Sequence, residues 1–424
     1  MSLDEVLDRF PRKSEFRHLI LSLMDEDMRA RRDAFLRATK LEKTRIRVEE
    51  ANAVLYAVRT LEFPPQEYEW NKPARQLCDC LWNSSHPALV PASVEAYATA
   101  ADSVKDSLLI LLCASNCHEG CQAIVDCVRG SGWPDPSPRV FWELAKLDQF
   151  VDVLFPALLI DCEPQFAREL SNCLISALQE GTLQPASCRQ AVPMIEQRLV
   201  ERLSQAASLQ QEKGISWRFD EHDGYFDVRH DLVFYLDLAG WLNLESLADV
   251  SSRVLSFHDP KLILAACLAR LRAELRVDAE DFEKAAAAHE TRSDLFDQLD
   301  CIGKLDLFPR KWRTWDAFAA AEMVKWLAQP AELGREPDEL EKMKILKGKS
   351  EHGEANLYVW RFRNLEAEWY AGVSGGYLLD GEPAPLRGQH TFSLFTPWEH
   401  GTPDQHATEC VATVANIYVG DDES

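Results

Sequence analysis

The apolar residues near the start of the chain recur at the spacing of an amphipathic helix. They occupy positions i, i+3, i+4, i+7 and i+8 of a helical pattern, which places them on one face. These residues are Phe16, Leu19, Ile20, Leu23 and Met24. Ser2 followed by Glu5 predicts a capping box on a shorter, earlier helix. The pattern therefore predicts an N-terminal helical segment over residues 1–92.

From about Val94 the helical pattern continues in short pieces, separated by brief loops that carry Pro, Gly, Asn or Asp. Short connections between helices of this length favour antiparallel neighbours. Because the helix–turn–helix order persists without strands, it predicts a helical-repeat array over residues 93–341. The predicted helices span residues 94–115, 119–129, 139–158, 164–180, 188–211, 229–240, 245–256, 260–275, 278–288, 292–301 and 315–328.

The clearest repeat unit runs from Arg229 to Arg272. Asp259 can cap a helix whose first turn begins at Pro260, where a proline needs no N–H partner. Small residues that allow a neighbouring helix to approach closely follow in this helix, at Ala265, Ala266 and Ala269. The segment resembles a HEAT-type repeat, in which an Asp-Pro turn opens a helix of alternating Leu and Ala.

A further resemblance covers roughly residues 229–398. It rests on three short motifs, which are Asp306-Leu307-Phe308-Pro309 with Trp312, Ala321-Glu322-Met323-Val324 with Trp326-Leu327, and Pro330-Ala331-Glu332-Leu333-Gly334. They resemble bacterial proteins described only as containing HEAT repeats, in which a strand pair similar to Tyr358 to Val373 follows. The resemblance implies a stack of helix pairs and no particular activity. Residues 1–228 lie outside it.

Beyond the array the apolar pattern changes its period. Residues 357–363 alternate in part and are rich in aromatic and β-branched side chains, which predicts the first strand of an antiparallel hairpin ending near Val373. Residues 391–395 are a candidate third strand, and residues 406–417 a closing helix.

The charged stretch 342–354 lies between the two patterns, and we interpret it as a linker. The predicted fold is therefore mainly α, a HEAT-like helical-repeat solenoid with a small C-terminal α+β domain. That second domain is predicted over residues 350–424.

The charge of the chain narrows the classes of partner. Its 424 residues include 69 acidic and 46 basic side chains, a net charge of −23. Such a surface repels phosphate backbones, so we expect no nucleic-acid partner. It favours a basic protein partner, or it serves solubility alone.

The apolar runs and the cysteines indicate the compartment. The longest apolar run, Leu108 to Ala114, is far shorter than the roughly 20 residues that a membrane helix needs. The first ten residues lack the apolar core of a signal peptide. Twelve cysteines without such a signal are most simply reduced, buried side chains. We therefore predict a cytoplasmic protein with no membrane association and no cofactor.

Three cysteines form the best candidate for a metal site. Cys113, Cys117 and Cys121 are spaced four apart, and His118 lies among them. On one continuous helix they would share a face, and thiolates with an imidazole can bind Zn²⁺. However, Asn116 and Gly120 indicate that the helix ends within the cluster. Buried core cysteines are therefore preferred, with a metal or redox site as the alternative.

The segment Gly372-Val373-Ser374-Gly375-Gly376 matches the G-x-S-x-G motif of hydrolases. That motif needs a helix directly after the serine. Residues 377–385 contain Gly381, Pro383 and Pro385 and cannot form one. We interpret the motif as a glycine-rich turn that ends the hairpin.

Two groups of residues are candidates for contacts with a partner. The first is the acidic loop around Asp220, Glu221 and Asp223, which is a solvated loop, a recognition loop for a basic partner or a metal site. The second is a set of tryptophans near the start of the C-terminal domain, which either form an interdomain core or anchor a partner. They are Trp312, Trp315, Trp326, Trp360, Trp369 and Trp398.

These observations rank a non-enzymatic protein-binding scaffold or adaptor first, with an immunity-type inhibitor of a basic toxin as its most specific form. An enzyme or enzyme subunit is the alternative, with dispersed active-site residues where the array meets the C-terminal domain. Its candidates are Arg361, Arg363, Ser374 and His390. A cysteine-based metal or redox sensor is the second alternative.

Overall fold

A computed structural model of the chain describes residues 2–41, 46–64, 72–84, 86–132, 137–161, 164–213, 224–350, 353–364, 368–378, 381–385, 391–409 and 412. The chain divides into unit 1, Met1–Ile195, and unit 2, Glu196–Ser424. Among the described helices, none is both long and apolar enough to cross a membrane. The fold is mainly helical, with a small antiparallel sheet near the C-terminus.

The described part of unit 1 is built from helices. The first helix begins at the predicted capping box, because the Ser2 hydroxyl accepts from the Glu5 N–H and the Glu5 carboxylate accepts from the Ser2 N–H. The helices are α1 (Leu3–Leu7), α2 (Glu15–Leu23), α3 (Met28–Leu41), α4 (Val48–Thr60), α5 (Pro73–Asp79), α6 (Val90–Thr99), α7 (Asp102–Ala114), α8 (His118–Ser131), α9 (Pro138–Ala145), α10 (Phe155–Asp161), α11 (Pro164–Gln179) and the start of α12 (Val192–Lys213).

The helices of unit 1 pack against the next helix but one as well as against their neighbours. Helix α4 contacts α6 and α6 contacts α8, while α5 contacts α7, α7 contacts α9 and α9 contacts α11. Helix α7 is the most buried of the α4–α9 group, since every residue from Val104 to Cys113 is shielded from solvent. Burial of a whole helix circumference requires neighbours on all sides, which this alternating packing supplies.

Unit 2 continues with helices and ends in strands. Its helices after α12 are α13 (Tyr225–Leu242), α14 (Leu247–Val254), α15 (Pro260–Arg272), α16 (Ala279–Ala287), α17 (His289–Cys301) and α18 (Trp315–Leu327). The cap predicted for α15 is present, since Asp259 Oδ1 accepts from the N–H groups of Lys261 and Leu262 at 2.9 and 3.2 Å. The predicted close approach is present too, because a Cβ at Gly240 of α13 would lie 2.7 Å from Cα of Ala269 in α15.

The sheet has four antiparallel strands in the order β1–β2–β3–β4. They are β1 (Glu339–Ser350), β2 (Gly353–Arg363), β3 (Tyr370–Leu378) and β4 (Phe392–Pro397). Strands β2 and β3 are the predicted hairpin, and β4 is the predicted third strand. Residues 403–409 are helical, so the predicted closing helix begins a little earlier than expected, and most of its remainder lies outside the described residues.

The linker prediction for residues 342–354 was wrong, because this stretch forms most of β1 and the start of β2. Its charged residues suggested a loop, but an edge strand tolerates lysines on its exposed side. Two of the lysines form ion pairs with neighbouring elements, Lys342 with Asp316 and Lys344 with Asp404.

One hydrophobic core joins α15 to α18 with strands β2 and β3. Phe296, Phe308 and Phe318 meet edge to face or tilted, with ring centroids 5.2 to 5.9 Å apart. The sheet lies against α18, and a Cβ at Gly372 of β3 would collide with the Met323 side chain. The strands therefore complete the core of the last helices.

Candidate functional site

A groove in unit 2 brings charged side chains from three helices together. Its volume is about 370 Å³. The walls come from the first turn of α15, the first half of α17, the end of α18 and the segment before β1. The lining residues are Lys261, Glu290, Asp294, Val324, Lys325, Ala328, Gln329 and Glu336. This volume lies at the lower end of ligand pockets, so the groove accommodates one or two side chains.

Glu290 is held at the groove by a buried ion-pair network. Arg229 Nη2 donates to both carboxylate oxygens of Glu290, at 2.7 and 2.8 Å. Arg229 Nε lies 2.8 Å from Asp259 Oδ2, and the Tyr225 hydroxyl donates to the same oxygen at 2.8 Å. Burial lowers the pKa of Arg229, but the charges of Asp259 and Glu290 outweigh it and raise that pKa above its ordinary value.

The network joins the N-terminal ends of α13, α15 and α17. Tyr225 is the first residue of α13, Asp259 is the N-cap of α15, and Glu290 is the second residue of α17. Carboxylates are stabilised at helix N-termini, where unpaired N–H groups carry partial positive charge. Asp259 caps α15, and Arg229 pairs with both Asp259 and Glu290 where the starts of the three helices meet.

The rim of the groove carries two further ion pairs. The Lys261 ammonium lies 3.4 Å from Glu290, and the Lys325 ammonium donates to Asp294 at 2.9 Å. Val324 and Ala328 add an apolar surface, and Glu336 adds a third carboxylate. Carboxylates beside an apolar wall suit a cationic side chain with an aliphatic stem. Among the described residues that line the groove, none is a serine, cysteine or histidine.

A second buried arginine fixes the helices around the groove. Arg292 donates to the carbonyls of Ala286, Ala287 and Ala317 at 2.7, 2.8 and 2.5 Å. It thereby satisfies carbonyls at the end of α16 and ties them to α18. Burial lowers the pKa of Arg292 to about 10. Its guanidinium lies 4.6 Å from the ring centroid of Trp312.

The predicted tryptophans gather mainly in the core between α18 and the sheet. Trp360 is only 4% exposed, and its indole N–H donates to Ser374 Oγ at 2.7 Å. Trp360 is therefore a core residue and cannot anchor a partner. Trp312, Trp315 and Trp326 are half-buried against the same core.

The enzyme candidates have structural partners. Ser374 is buried and donates to the Ala319 carbonyl at 3.0 Å, so its hydroxyl links β3 to α18. Arg361 and Arg363 pair with Glu341 and Glu339 on β1. Their guanidinium carbons lie 4.3 and 4.5 Å from the ring centroid of Trp369. His390 lies outside the described residues.

The glycine-rich segment 372–376 is not a turn, as the sequence had suggested, but part of β3. Gly375 has a φ of +134°, and a Cβ there would lie 2.6 Å from the Asn356 carbonyl oxygen. It coincides with a register shift between Asn356 and Leu357. Glycine is needed at this bulge because other residues rarely adopt such a φ.

The cysteine cluster is divided between two helices. Helix α7 ends at Ala114, Asn116 has a φ of +40°, and α8 begins at His118. Cys113 and Cys121 are buried, and burial raises the pKa of Cys121 to about 11. Cys117 Sγ accepts from the Gly120 N–H at 3.3 Å, as an N-cap.

A thiol whose pKa is raised in this way is a poor thiolate ligand. Within the described ranges no three His, Cys, Asp or Glu side chains are placed to hold a metal ion. The acidic loop residues Asp220, Glu221 and Asp223 lie outside those ranges.

Sequence reasoning missed the buried network. Arg229 and Asp231 occupy helical positions that an apolar residue would normally fill, and so do Glu290 and Arg292. Charged residues on the buried face of a helical pattern are the feature that could have revealed the network.

Comparisons of this chain with protein-family models, curated proteins and solved structures gave no match.

Proposed function

We propose that this protein is a non-enzymatic binding scaffold that recognises a basic segment of a partner protein. The observation that carries the proposal is the groove of unit 2. Its described lining carries three carboxylates, Glu290, Asp294 and Glu336, and two ammonium groups, Lys261 and Lys325, while Arg229 pairs with Glu290. Arg229 holds Glu290 in place before any partner arrives, which reduces the entropy cost of binding.

We propose further that the helices form a HEAT-like solenoid. The packing of each helix in the α4–α9 group against the next helix but one supports this architecture. In unit 2, α13 contacts α15 and α15 contacts α17 in the same alternation. Stacked helix pairs offer an extended surface of repeated helix ends, which suits the binding of a protein segment.

Net charge supports a basic partner. A chain with net charge −23 attracts a cationic protein over a distance and accelerates their encounter. Inhibition of a basic toxin, in the manner of an immunity protein, is the most specific form of the proposal. In that form the partner would place a lysine or arginine in the groove.

The first test uses two labelled peptides that differ only in charge. One carries arginines spaced by valines and the other carries glutamates at the same positions, and binding is measured by fluorescence anisotropy. We expect binding of the arginine peptide alone. Removing two groove charges with Asp294→Asn and Glu336→Gln should weaken it about tenfold, roughly 0.7 kcal/mol for each lost charge.

A matched control removes two carboxylates elsewhere in unit 2, with Asp249→Asn and Asp300→Asn. Both residues are exposed and neither lines the groove. This control should bind the arginine peptide within about twofold of the unaltered protein, because exposed charges at a distance are screened by salt. Equal weakening by both pairs of substitutions would contradict a site at the groove.

A further inference from the structure

Strand β1 leaves one edge of the sheet open. It is 12 residues long, and it pairs on one side with β2. No other described strand pairs with its second side. An open edge presents backbone N–H and C=O groups that can pair with another extended chain.

The regular part of this edge runs from Lys344 to Ser350. The register with β2 shifts between Lys342 and Lys344 and is regular beyond that point. A bulge of this kind ends regular pairing on one side, so the available edge is the stretch after it. That stretch is long enough for the five or six residues of a typical strand.

The open edge has the opposite charge to the rest of the chain. Residues 344–350 include three lysines and no carboxylate, whereas the whole chain has a net charge of −23. Lys344 forms an ion pair with Asp404, and Lys347 is exposed. Ile345 lies between these lysines and is 37% exposed, so an apolar side chain is also available there.

The lysines of β1 favour one of two possible partners for the open edge, which are a second copy of β1 and a strand with acidic residues. A second copy of β1 would place lysines opposite or diagonal to lysines, and like charges across a strand pair are destabilising. A strand with acidic residues would place carboxylates there instead. Opposite-charge pairs across strands are favourable, and the exposed Ile345 would contact an apolar residue of the added strand.

We propose that β1 binds an extended acidic segment of a partner protein by strand addition along Lys344–Ser350. Backbone hydrogen bonds supply affinity in this mode, and alternate side chains supply specificity. The surface is separate from the groove and has the opposite charge preference. The inference therefore does not depend on the basic partner proposed above.

The test compares the binding of two synthetic peptides of equal charge to the 424-residue chain. The first has eight residues of valine and threonine, with glutamates at the positions opposite Lys344 and Lys347 and valine opposite Ile345. The second has the same glutamates but carries two prolines, which cannot donate to a strand ladder. Fluorescence anisotropy should show at least tenfold tighter binding of the first peptide. Equal binding of both would overturn strand addition, and failure of the first peptide to bind would overturn the proposal.

A charge-reversal variant locates the site. Lys347→Glu should weaken the first peptide at least fivefold, whereas Lys284→Glu should change it less than twofold, since Lys284 is an exposed lysine of α16. Thermal unfolding would show whether both variants fold.

Hydrogen exchange gives a readout that does not depend on a variant. Of the amides of residues 344–350, those that point away from β2 should exchange at least fivefold more slowly when the first peptide is bound. Protection confined to other parts of the chain would overturn the assignment, and so would a dimer of the protein joined through β1.

Discussion

Helix α7 of unit 1 and helix α13 of unit 2 both bury charged side chains, but they neutralise them differently. In α7, the Lys105 ammonium donates to the Ser131 carbonyl at 2.8 Å, and its ionic partner Asp102 is exposed. In α13, Arg229 pairs with two carboxylates that are themselves buried. The Lys105 ammonium is therefore satisfied by a carbonyl at the C-terminal end of α8. The Arg229 guanidinium is neutralised by carboxylates inside the protein.

The two arrangements should differ in how much stability is lost when one charged side chain is removed. A buried ion pair adds little net stability, because desolvation offsets the attraction between its members. Loss of one member is costly, because it leaves an uncompensated charge in the interior. Unit 2 should therefore tolerate single substitutions at its buried charges less well than unit 1.

The largest expected effect is that of Arg229→Met. This change leaves Asp259 and Glu290 buried without their cation, and we expect a loss of about 3–5 kcal/mol in the free energy of unfolding of unit 2. The matched change in unit 1, Lys105→Met, should cost about 1 kcal/mol. Urea unfolding measures the loss of stability in each variant. Hydrogen exchange of the amides of α13 and of α7 shows in which unit the loss occurs. Similar costs for the two variants would remove the contrast between the units.

Substitutions of two glycines by alanine should change the free energy of unfolding by smaller amounts and with opposite signs. Gly240→Ala should cost about 1–3 kcal/mol, because its Cβ would meet the Ala269 backbone. Gly130→Ala in α8 has nothing within 4 Å of the new Cβ, so it should stabilise unit 1 by about 0.5–1 kcal/mol. Thermal unfolding of the two variants checks both signs. A stabilising Gly240→Ala would contradict the close contact of α13 with α15.

The smallest expected effect depends on pH. Burial, and then the charge of Arg292, lower the pKa of His289 to about 4. The unfolded chain binds this proton near the ordinary pKa of about 6.5. The contribution of neutral His289 is therefore fully present above about pH 6.5 and is lost as the pH falls towards 4.

His289→Leu should reduce the loss of stability between pH 7 and pH 4 by roughly 1–2 kcal/mol, as urea unfolding at both pH values would show. Burial raises the pKa of Glu322, which acts with the opposite sign in this range. Comparing the variant with the unaltered protein removes that contribution, because both carry Glu322. An unchanged pH dependence would place His289 in a more solvated environment.

Local chemistry made much of the fold predictable. The capping box at Ser2 and the cap at Asp259 depend on residues two or three positions apart. The hairpin of β2 and β3 depends on alternation within one short segment. Such features are decided by neighbours along the chain, so the pattern of residues is sufficient to find them.

Strand β1 escaped prediction because its residues do not alternate strongly and many are charged. Its strand conformation comes from backbone pairing with β2, from Glu339 opposite Arg363 to Ser350 opposite Gly353. Edge strands often carry charged side chains, especially lysines, which interrupt the alternation of apolar and polar residues by which a strand is recognised.

The sequence by itself determined a mainly helical chain, the positions of most helix starts and a C-terminal hairpin. The tertiary structure alone decided which buried charges meet. Arg229 and Glu290 are 61 residues apart, and their contact depends on α13, α15 and α17 aligning their N-terminal ends. Helical periodicity shows which face of a helix is buried, but it contains no information about which distant helix covers that face. That choice depends on packing and charge balance across several helices.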